Sequence, residues 1–408
     1  MSLEVEVERP GRYVLRVRLK NAALPLVHVQ IARGGEDAAR TFVLPALRNT
    51  DYLVRLTRGS ARFSFDTARV EAVSMRAGHL LDRIRASERA RVAKRLRLVT
   101  DEHLSVQPLL RGTGKRGRTL AKAMRALTNW GFGLESANLQ RTPELLFDLD
   151  PMGGSLLPPL HPVGTRRFAV ALHLFYEELW PEFEHFLRRI RQPFDLIITT
   201  PLSAPAFASD AGRAFPGAQL VTVPNRGRDV GPFLQLLREG RLDGFEFVLK
   251  LHGKRTVLTG HHAALGHVWR RASLIDLAGS DETVRRIIAS FDEDSRIGMI
   301  GPARFRLPGN LIPKKAAWGS NQTATLALAE RLGIDGREFR LDYFAGTMFW
   351  ARRETLEPLR QLKLTLSDFP EEQGQRDGEL HHALERLFGT LPSLVGQTLE
   401  GATACLDC

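Results

Sequence analysis

From Leu3 to about Met75 the chain alternates hydrophobic and polar residues with a period of two. Leu3, Val5 and Val7 alternate with glutamates, and Tyr13, Leu15, Val17 and Leu19 with Arg16, Arg18 and Lys20. Similar runs follow at Val27 to Ile31, Thr41 to Leu44, Tyr52 to Leu56, Ala61 to Phe65 and Ala68 to Val73, separated by turns such as Pro10-Gly11, Gly34-Gly35 and Gly59-Ser60. Short strands at this spacing predict a small β-sandwich over residues 1–75. Such a module can bind a sugar or pack on a neighbour, and the pattern does not choose between them. The period then changes. Leu80, Leu81, Ile84, Val92, Leu96 and Val99 fall on one stripe of a 3.6-residue repeat, predicting that a basic segment over 76–150 opens as an amphipathic helix. Residues 151–165, rich in Pro and Gly, read as a linker.

After Arg166 strands alternate with helices. Strands are predicted at Phe168 to His173, Asp195 to Thr199, Ala218 to Val223, Phe245 to Leu251, Ile297 to Ile300 and Tyr343 to Trp350. Helices are predicted near Glu177 to Ile190, Val230 to Glu239, Ala263 to Leu277, Asp281 to Phe291, Thr323 to Leu332, Glu354 to Leu359 and Gln373 to Leu387. Alternation of this length implies an α/β domain over 166–400, a mainly parallel sheet with helices on both faces, and a short tail at 401–408.

Charge adds a second feature. The 408 residues carry a net charge of +12, and Arg76 to Arg125 holds 14 basic residues against Asp82, Glu88, Asp101 and Glu102. That leaves +10 in one segment, which fits either a solvated helical face or a polyanionic partner such as the acidic surface of a membrane. A nucleic-acid partner is disfavoured, because the segment has few aromatics for stacking and no nucleic-acid motif. Cys405 and Cys408 form a lone C-x-x-C, too few ligands for a structural zinc. With no disulfide framework, no signal-peptide pattern at the acidic N-terminus and no long apolar stretch, a cytoplasmic protein is expected.

The candidate chemistry gathers where strands end. In a parallel sheet the C-terminal strand ends share one edge, where α/β proteins place ligands. On that basis His173, Tyr176, Asn225, Arg226, Arg228, Asp229, Lys250, His252, Lys254 and Arg255 are brought toward one crevice. The cationic bias of this set fits a phosphate-bearing ligand. The stretch V-T-V-P-N-R-G-R-D-V-G-P-F from Val221 is its centre: strand, turn and helix start, with Asp229 where an N-cap would sit. No G-x-G-x-x-G or P-loop occurs, so neither a dinucleotide fold nor a Walker site is favoured.

Six ordered motifs also carry a resemblance. H-L-F-Y-x-E-L-W, N-R-G-R-D-V-G-P-F, V-L-K-L-H-G-K, I-G-M-I-G-P, A-G-T-M-F-W-A-R and E-x-G-Q-x-D-G-x-x-x-H-A-L-E-R resemble the rhamnan synthesis protein F family across about Arg166 to Val395. Members of that family are regarded as glycosyltransferases of rhamnose-containing bacterial surface polysaccharides. The resemblance implies a GT-A-like fold, a nucleotide-activated rhamnose as donor, dTDP-rhamnose first, and a lipid-linked glycan as acceptor. It also implies other polysaccharide-assembly enzymes as partners and peripheral contact with the inner face of the membrane through Arg76 to Arg125. The GT-A plan places a metal-binding D-x-D after its fourth strand, where this chain has Leu251-His252-Gly253-Lys254. Hard cations need oxygen ligands, so no metal or other cofactor is expected, with Lys250, Lys254 and Arg255 neutralising the diphosphate, helped by Arg226 or Arg228. In that plan the base for inverting transfer comes late. Glu371, Glu372 and Asp377 occupy that place, Asp377 the first candidate and Glu372 the second, with a helix-cap role for Asp377 as the alternative. Thr347, Phe349 and Trp350 are candidate walls of the sugar subsite, or ordinary core, and His381, a further candidate for the sugar or acceptor subsite, lies one turn from both Asp377 and Glu385, placed to brace them on one helical face. A glycan-binding scaffold without catalysis is the rival function.

Overall fold

In a computed structural model of the full chain, the structure describes residues 2–19, 26–33, 40–45, 49–65, 70–81, 99–100, 104–109, 167–253, 265–307, 317–374 and 377–402. These divide between two compact units, the first carrying the strands of residues 2–109 and the second the residues from 167 onward, except that 265–271 group with the first.

The first unit contains β1 (Ser2–Val7), β2 (Gly11–Leu19), β3 (Leu26–Arg33), β4 (Arg40–Pro45), β5 (Asn49–Leu56), β6 (Gly59–Phe65), β7 (Val70–Ala77), β8 (Val99–Thr100) and β9 (Leu104–Leu109). They form two sheets with every pairing antiparallel, ordered β1-β6-β3-β4 and β7-β2-β5-β9-β8. The alternation that predicted the strands is the one that buries them. Leu15, Val17 and Leu19 face inward with Val54, Leu56 and Phe63, while Arg16 points out and pairs across to Asp51 at 2.7 Å. Strands β8 and β9 lie inside the basic segment, so the sheet extends past residue 75, while residues 82–98, which hold most of the predicted helical opening, lie outside the described residues. Period alone could not separate these strands from a helix, since L-S-V-Q-P-L is short and mixed. Most of the remaining basic segment, and the Cys405/Cys408 tail, lie outside the described residues.

The second unit is the α/β layer structure. Its strands are β10 (Phe168–His173), β11 (Phe194–Thr200), β12 (Gln219–Thr222), β13 (Phe247–His252), β14 (Ile297–Pro302), β15 (Phe349–Arg352) and β16 (Thr398–Ala402). They form one sheet ordered β12-β11-β10-β13-β15-β14-β16. β12, β11, β10 and β13 run parallel, as do β14 and β16, while β15 runs antiparallel to both neighbours. The central strands F-A-V-A-L-H and F-V-L-K-L-H are buried almost throughout, as strands covered on both faces must be. The helices are α1 (Trp180–Leu187), α2 (Ala208–Ala214), α3 (Val230–Arg238), α4 (Leu265–Ala278), α5 (Asp281–Glu293), α6 (Gln322–Arg331) and α7 (Leu380–Phe388), with shorter turns at Pro358–Gln361 and Leu391–Leu394. Ser280 caps α5 by accepting from Thr283 N at 3.1 Å.

Three departures from the sequence reading bear on the site. The strand predicted from Tyr343 starts only at Phe349, because Gly346 (φ 93°) and Thr347 (φ 52°) turn the chain in the left-handed region just before it. The helix predicted from Gln373 starts at Leu380, after Gly374 and Gly378 with φ near 81° and 88°. The antiparallel sense of β15 is the third. Lys250 pairs with Phe349, so it is the beginning of β15, not its end, that lies beside the C-terminal end of β13.

Candidate active site

The turn after β12 is fixed from its backbone upward. Val223 N extends the ladder to Thr200 O at 2.9 Å, and the chain then turns so that Val230 N and Gly231 N both donate to Gly227 O, at 3.0 and 2.9 Å. Gly227 (φ 70°) and Arg228 (φ 52°) are consecutive left-handed residues. Glycine takes that conformation freely, whereas for an arginine it is uncommon and survives only where the surroundings hold it. Phe369 packs so closely over Gly227 that a Cβ there would meet its ring at 2.7 Å. The turn also forms an antiparallel bridge between Arg226 and Glu371.

Asp229 does not cap α3 with its side chain. Instead its carboxylate, 9% exposed, accepts from Lys250 Nζ at 2.5 Å and from Thr347 Oγ1 at 2.5 Å. Lys250 Nζ also donates to Thr347 O at 2.9 Å, and His252 Nδ1 lies 3.7 Å from Asp229. His252 Nε2 donates to Gly346 O at 2.7 Å, and Gly346 N donates to Glu385 at 2.5 Å. One buried network thus ties the two turns that contain left-handed residues. Burial alone would raise the Asp229 carboxyl; His252, Lys250 and the hydrogen bonds from Lys250 and Thr347 outweigh it and hold it well below the usual carboxylate range.

The arginines face outward from this base. Arg226 donates to Phe369 O at 2.9 Å and to Glu371 at 2.8 Å. Arg228 grips Glu372 through Nε at 2.9 Å and Nη2 at 3.2 Å, a two-point arrangement that suits any carboxylate or phosphate edge. Glu372 also accepts from Gly374 N at 2.8 Å. Burial raises its carboxyl, but Arg228 and that hydrogen bond leave it below the ordinary value. Asp377 is exposed yet engaged, accepting from Ser320 N at 2.8 Å and Asn321 Nδ2 at 2.5 Å beside the start of α6. Burial again raises the group, and the hydrogen bonds from Asn321, Ser320 and Gly378, with the charge of Arg386, together hold it below the ordinary value. Both carboxylates are therefore ionised at neutral pH, as a base must be, though a depressed pKa makes each a weaker one.

The structure brings His173, Asp229, Lys250, His252 and Thr347 to one sheet edge, with Arg226, Arg228, Glu372 and His381 beside them. His173 accepts from or donates to Thr199 at 3.0 Å, and burial, aided by the charge of Lys250, pushes its imidazole down to about 4. Asn225 is exposed in the turn, and Tyr176 is partly exposed with its ring edge-on to Phe175 at 4.8 Å. Three expectations need correction. Lys250 is 1% exposed and already bound to Asp229, so it supports the site from beneath and does not itself meet a diphosphate. Phe349 and Trp350, 1% and 0% exposed, are core: Phe349 packs with Phe233 and Phe388 around the Lys250 ammonium, and Trp350 donates to Leu277 O at 3.0 Å. Thr347 likewise turns its hydroxyl to Asp229 and offers no wall. Lys254 and Arg255 lie outside the described residues. Sequence reasoning missed Thr199, Gly346 and Asn321, none of which carries a chemical signature, and His382, whose ring lies 3.4 Å from Arg228. Among the described residues, no three of His, Cys, Asp and Glu gather as a metal site.

Fold and site together define an α/β protein with an anion-gripping turn at the ends of parallel strands. Residues 155–394 match the rhamnan synthesis protein F family. That match takes in more than half of the chain, which belongs to this family. Over 221 residues it is 34% identical to the uncharacterized protein WxcX of Xanthomonas campestris pv. campestris strain B100, and equally to WxcX of a second strain of that organism. The alignment covers 54% of this chain but only 30% of those relatives, so the chain spans about a third of their length. The crystal structure of S. aureus TarS 1-349 is similar at 12% identity and a TM-score of 0.31, covering 58% of this chain and 57% of that one. Among the described residues no helix is long and apolar enough to cross a membrane.

Proposed function

We propose that the chain is a glycosyltransferase of bacterial surface polysaccharide synthesis, using a nucleotide-activated sugar, with dTDP-rhamnose the first donor to try. The observation that carries this reading is the Arg226/Arg228 turn, which holds two carboxylates, one of them at two points. A sugar nucleotide presents the same chemistry in its diphosphate. In the reaction an acceptor hydroxyl attacks the anomeric carbon from the face opposite the diphosphate. The carbon–oxygen bond to the diphosphate breaks, its electron pair leaves with that group, and a carboxylate takes the hydroxyl proton. Arg226 and Arg228 neutralise the departing charge, so no metal is required in this scheme. Lys250 anchors Asp229, the residue next to Arg228, from below. Asp377 remains the first candidate base and Glu372 the second. The acceptor is a lipid-linked glycan, brought near the membrane by the basic segment and other assembly enzymes.

The test is turnover of dTDP-rhamnose by purified protein with several glycan acceptors, with and without EDTA, beside Asp377→Asn. Activity should survive chelation and fall at least a hundredfold in the variant, about the contribution of a general base. Loss with EDTA contradicts metal-free transfer, and an active Asp377→Asn moves the base to Glu372. Glycan binding without turnover points to a scaffold, a reading favoured by the engagement of both carboxylates with the protein's own groups.

A further inference from the structure

Each of the other histidines at this edge has a partner: His173 has Thr199, His252 has Gly346 O, and His382 accepts from one donor, Glu379 N at its Nδ1 or Arg228 at its Nε2. His381 differs. It sits in the first turn of α7, 5% exposed, and among the described residues neither ring nitrogen has a hydrogen-bond partner. Such a group in the interior keeps the cost of losing water without the return of a bond. Arg228, Asp229 and Glu372 all act electrostatically on the ring, and His382 lies against it at 4.1 Å between centroids. Both ring nitrogens are shut from solvent; Glu372 and Arg228, which act on the ring, keep side-chain exposures of 21% and 37%, so a ligand reaches the ring where that ion pair parts.

Burial, aided by the charge of Arg228, pushes the imidazole down to about 4 against the pull of Asp229 and Glu372. The ring is therefore neutral near pH 7, with one N–H and one lone pair. A sugar hydroxyl, which also donates once and accepts, matches that pair. Phosphate oxygens, which only accept, are already suited by the arginines.

Resting on the glycosyltransferase reading, we propose that His381 is the specificity-determining residue for the donor sugar, hydrogen-bonding one of its ring hydroxyls while Arg226 and Arg228 hold the diphosphate. A site whose buried polar group finds its partner only in the right ligand discriminates strongly against an analogue lacking that hydroxyl.

The experiment compares wild type, His381→Leu and His381→Asn, reading thermal melting without ligand and binding of dTDP and of dTDP-rhamnose by calorimetry. The leucine variant should melt no lower than wild type, because it removes an unpartnered polar group. It should bind dTDP as before and dTDP-rhamnose about tenfold or more weakly, the order of one buried hydrogen bond. Asparagine, which can still donate and accept, should recover part of that loss. Equal dTDP-rhamnose binding in all three proteins overturns the proposal, as does a loss shared equally by dTDP and dTDP-rhamnose. A lower melting temperature in both variants with dTDP-rhamnose affinity kept would make His381 structural. If wild type binds neither compound, the donor reading itself falls and takes this inference with it.

Discussion

Lys250→Met is expected to lower stability by about 3–5 kcal/mol, the cost of breaking a buried ion pair from one side. The reason lies in what remains: the Asp229 carboxylate, 9% exposed, loses the ammonium at 2.5 Å and keeps, among the described residues, Thr347 as its close hydrogen-bond donor, with His252 at 3.7 Å. The ammonium is also ringed by Phe233, Phe349 and Phe388, at 5.4, 5.9 and 6.0 Å from their centroids. A methionine fills that aromatic space well, so the loss comes from the unpaired charge and not from a cavity. Thermal melting should drop by about 10 °C, given a shift of roughly 2–4 °C per kcal/mol in domains of this size. Removing both charges with Lys250→Met and Asp229→Leu should return most of the stability, since replacing a buried pair by apolar groups is often close to neutral. The double variant should still fail in donor turnover, because the polar contacts that join β13 and the Thr347 turn to the turn carrying Arg228 are then gone. A drop below about 1 kcal/mol in the single variant would show that the pair contributes little.

Gly227→Ala is the second large effect. Two costs coincide there, a left-handed φ of 70° and a Cβ placed 2.7 Å from the Phe369 ring. Strain alone costs about 1–2 kcal/mol and overpacking typically about 1–3 more, so a loss of about 2–5 kcal/mol is expected from melting curves. Gly217→Ala separates the two, because Gly217 has φ 93° and nothing within 4 Å of the added carbon. It should show the strain alone and leave donor binding untouched, whereas Gly227→Ala displaces both arginines that flank it. Equal effects of the two substitutions would mean that Phe369 yields freely and does not shape the turn.

The central part of this edge was legible because its chemistry and its periodicity agree. The apolar runs of β10 and β13 predict buried parallel strands, and the polar residues that end them, His173, Lys250 and His252, follow from that placement. What each side chain does was less legible. Asp229 has the sequence position of a helix cap, and only the third dimension shows Lys250 and Thr347, 21 and 118 residues away, competing for its oxygens. Phe349 and Trp350 look alike as aromatic walls or as core, and the choice depends on how far a strand runs before its sheet edge, which period two does not encode. The antiparallel sense of β15 has no local signal at all. β16 escaped because T-L-E-G-A is short and mixed, and α2 because A-S-D-A-G-R-A has almost no apolar stripe.

The most direct test is calorimetric titration of nucleoside diphosphates, dTDP first, into wild type and into the Arg226→Ala/Arg228→Ala double variant at low and high salt. Binding by wild type that weakens with salt and falls about a hundredfold or more in the variant is the predicted result, as expected for two charge-assisted contacts to phosphate. Undiminished affinity in the double variant, or no binding by wild type of any nucleoside diphosphate, would contradict a diphosphate site at this turn.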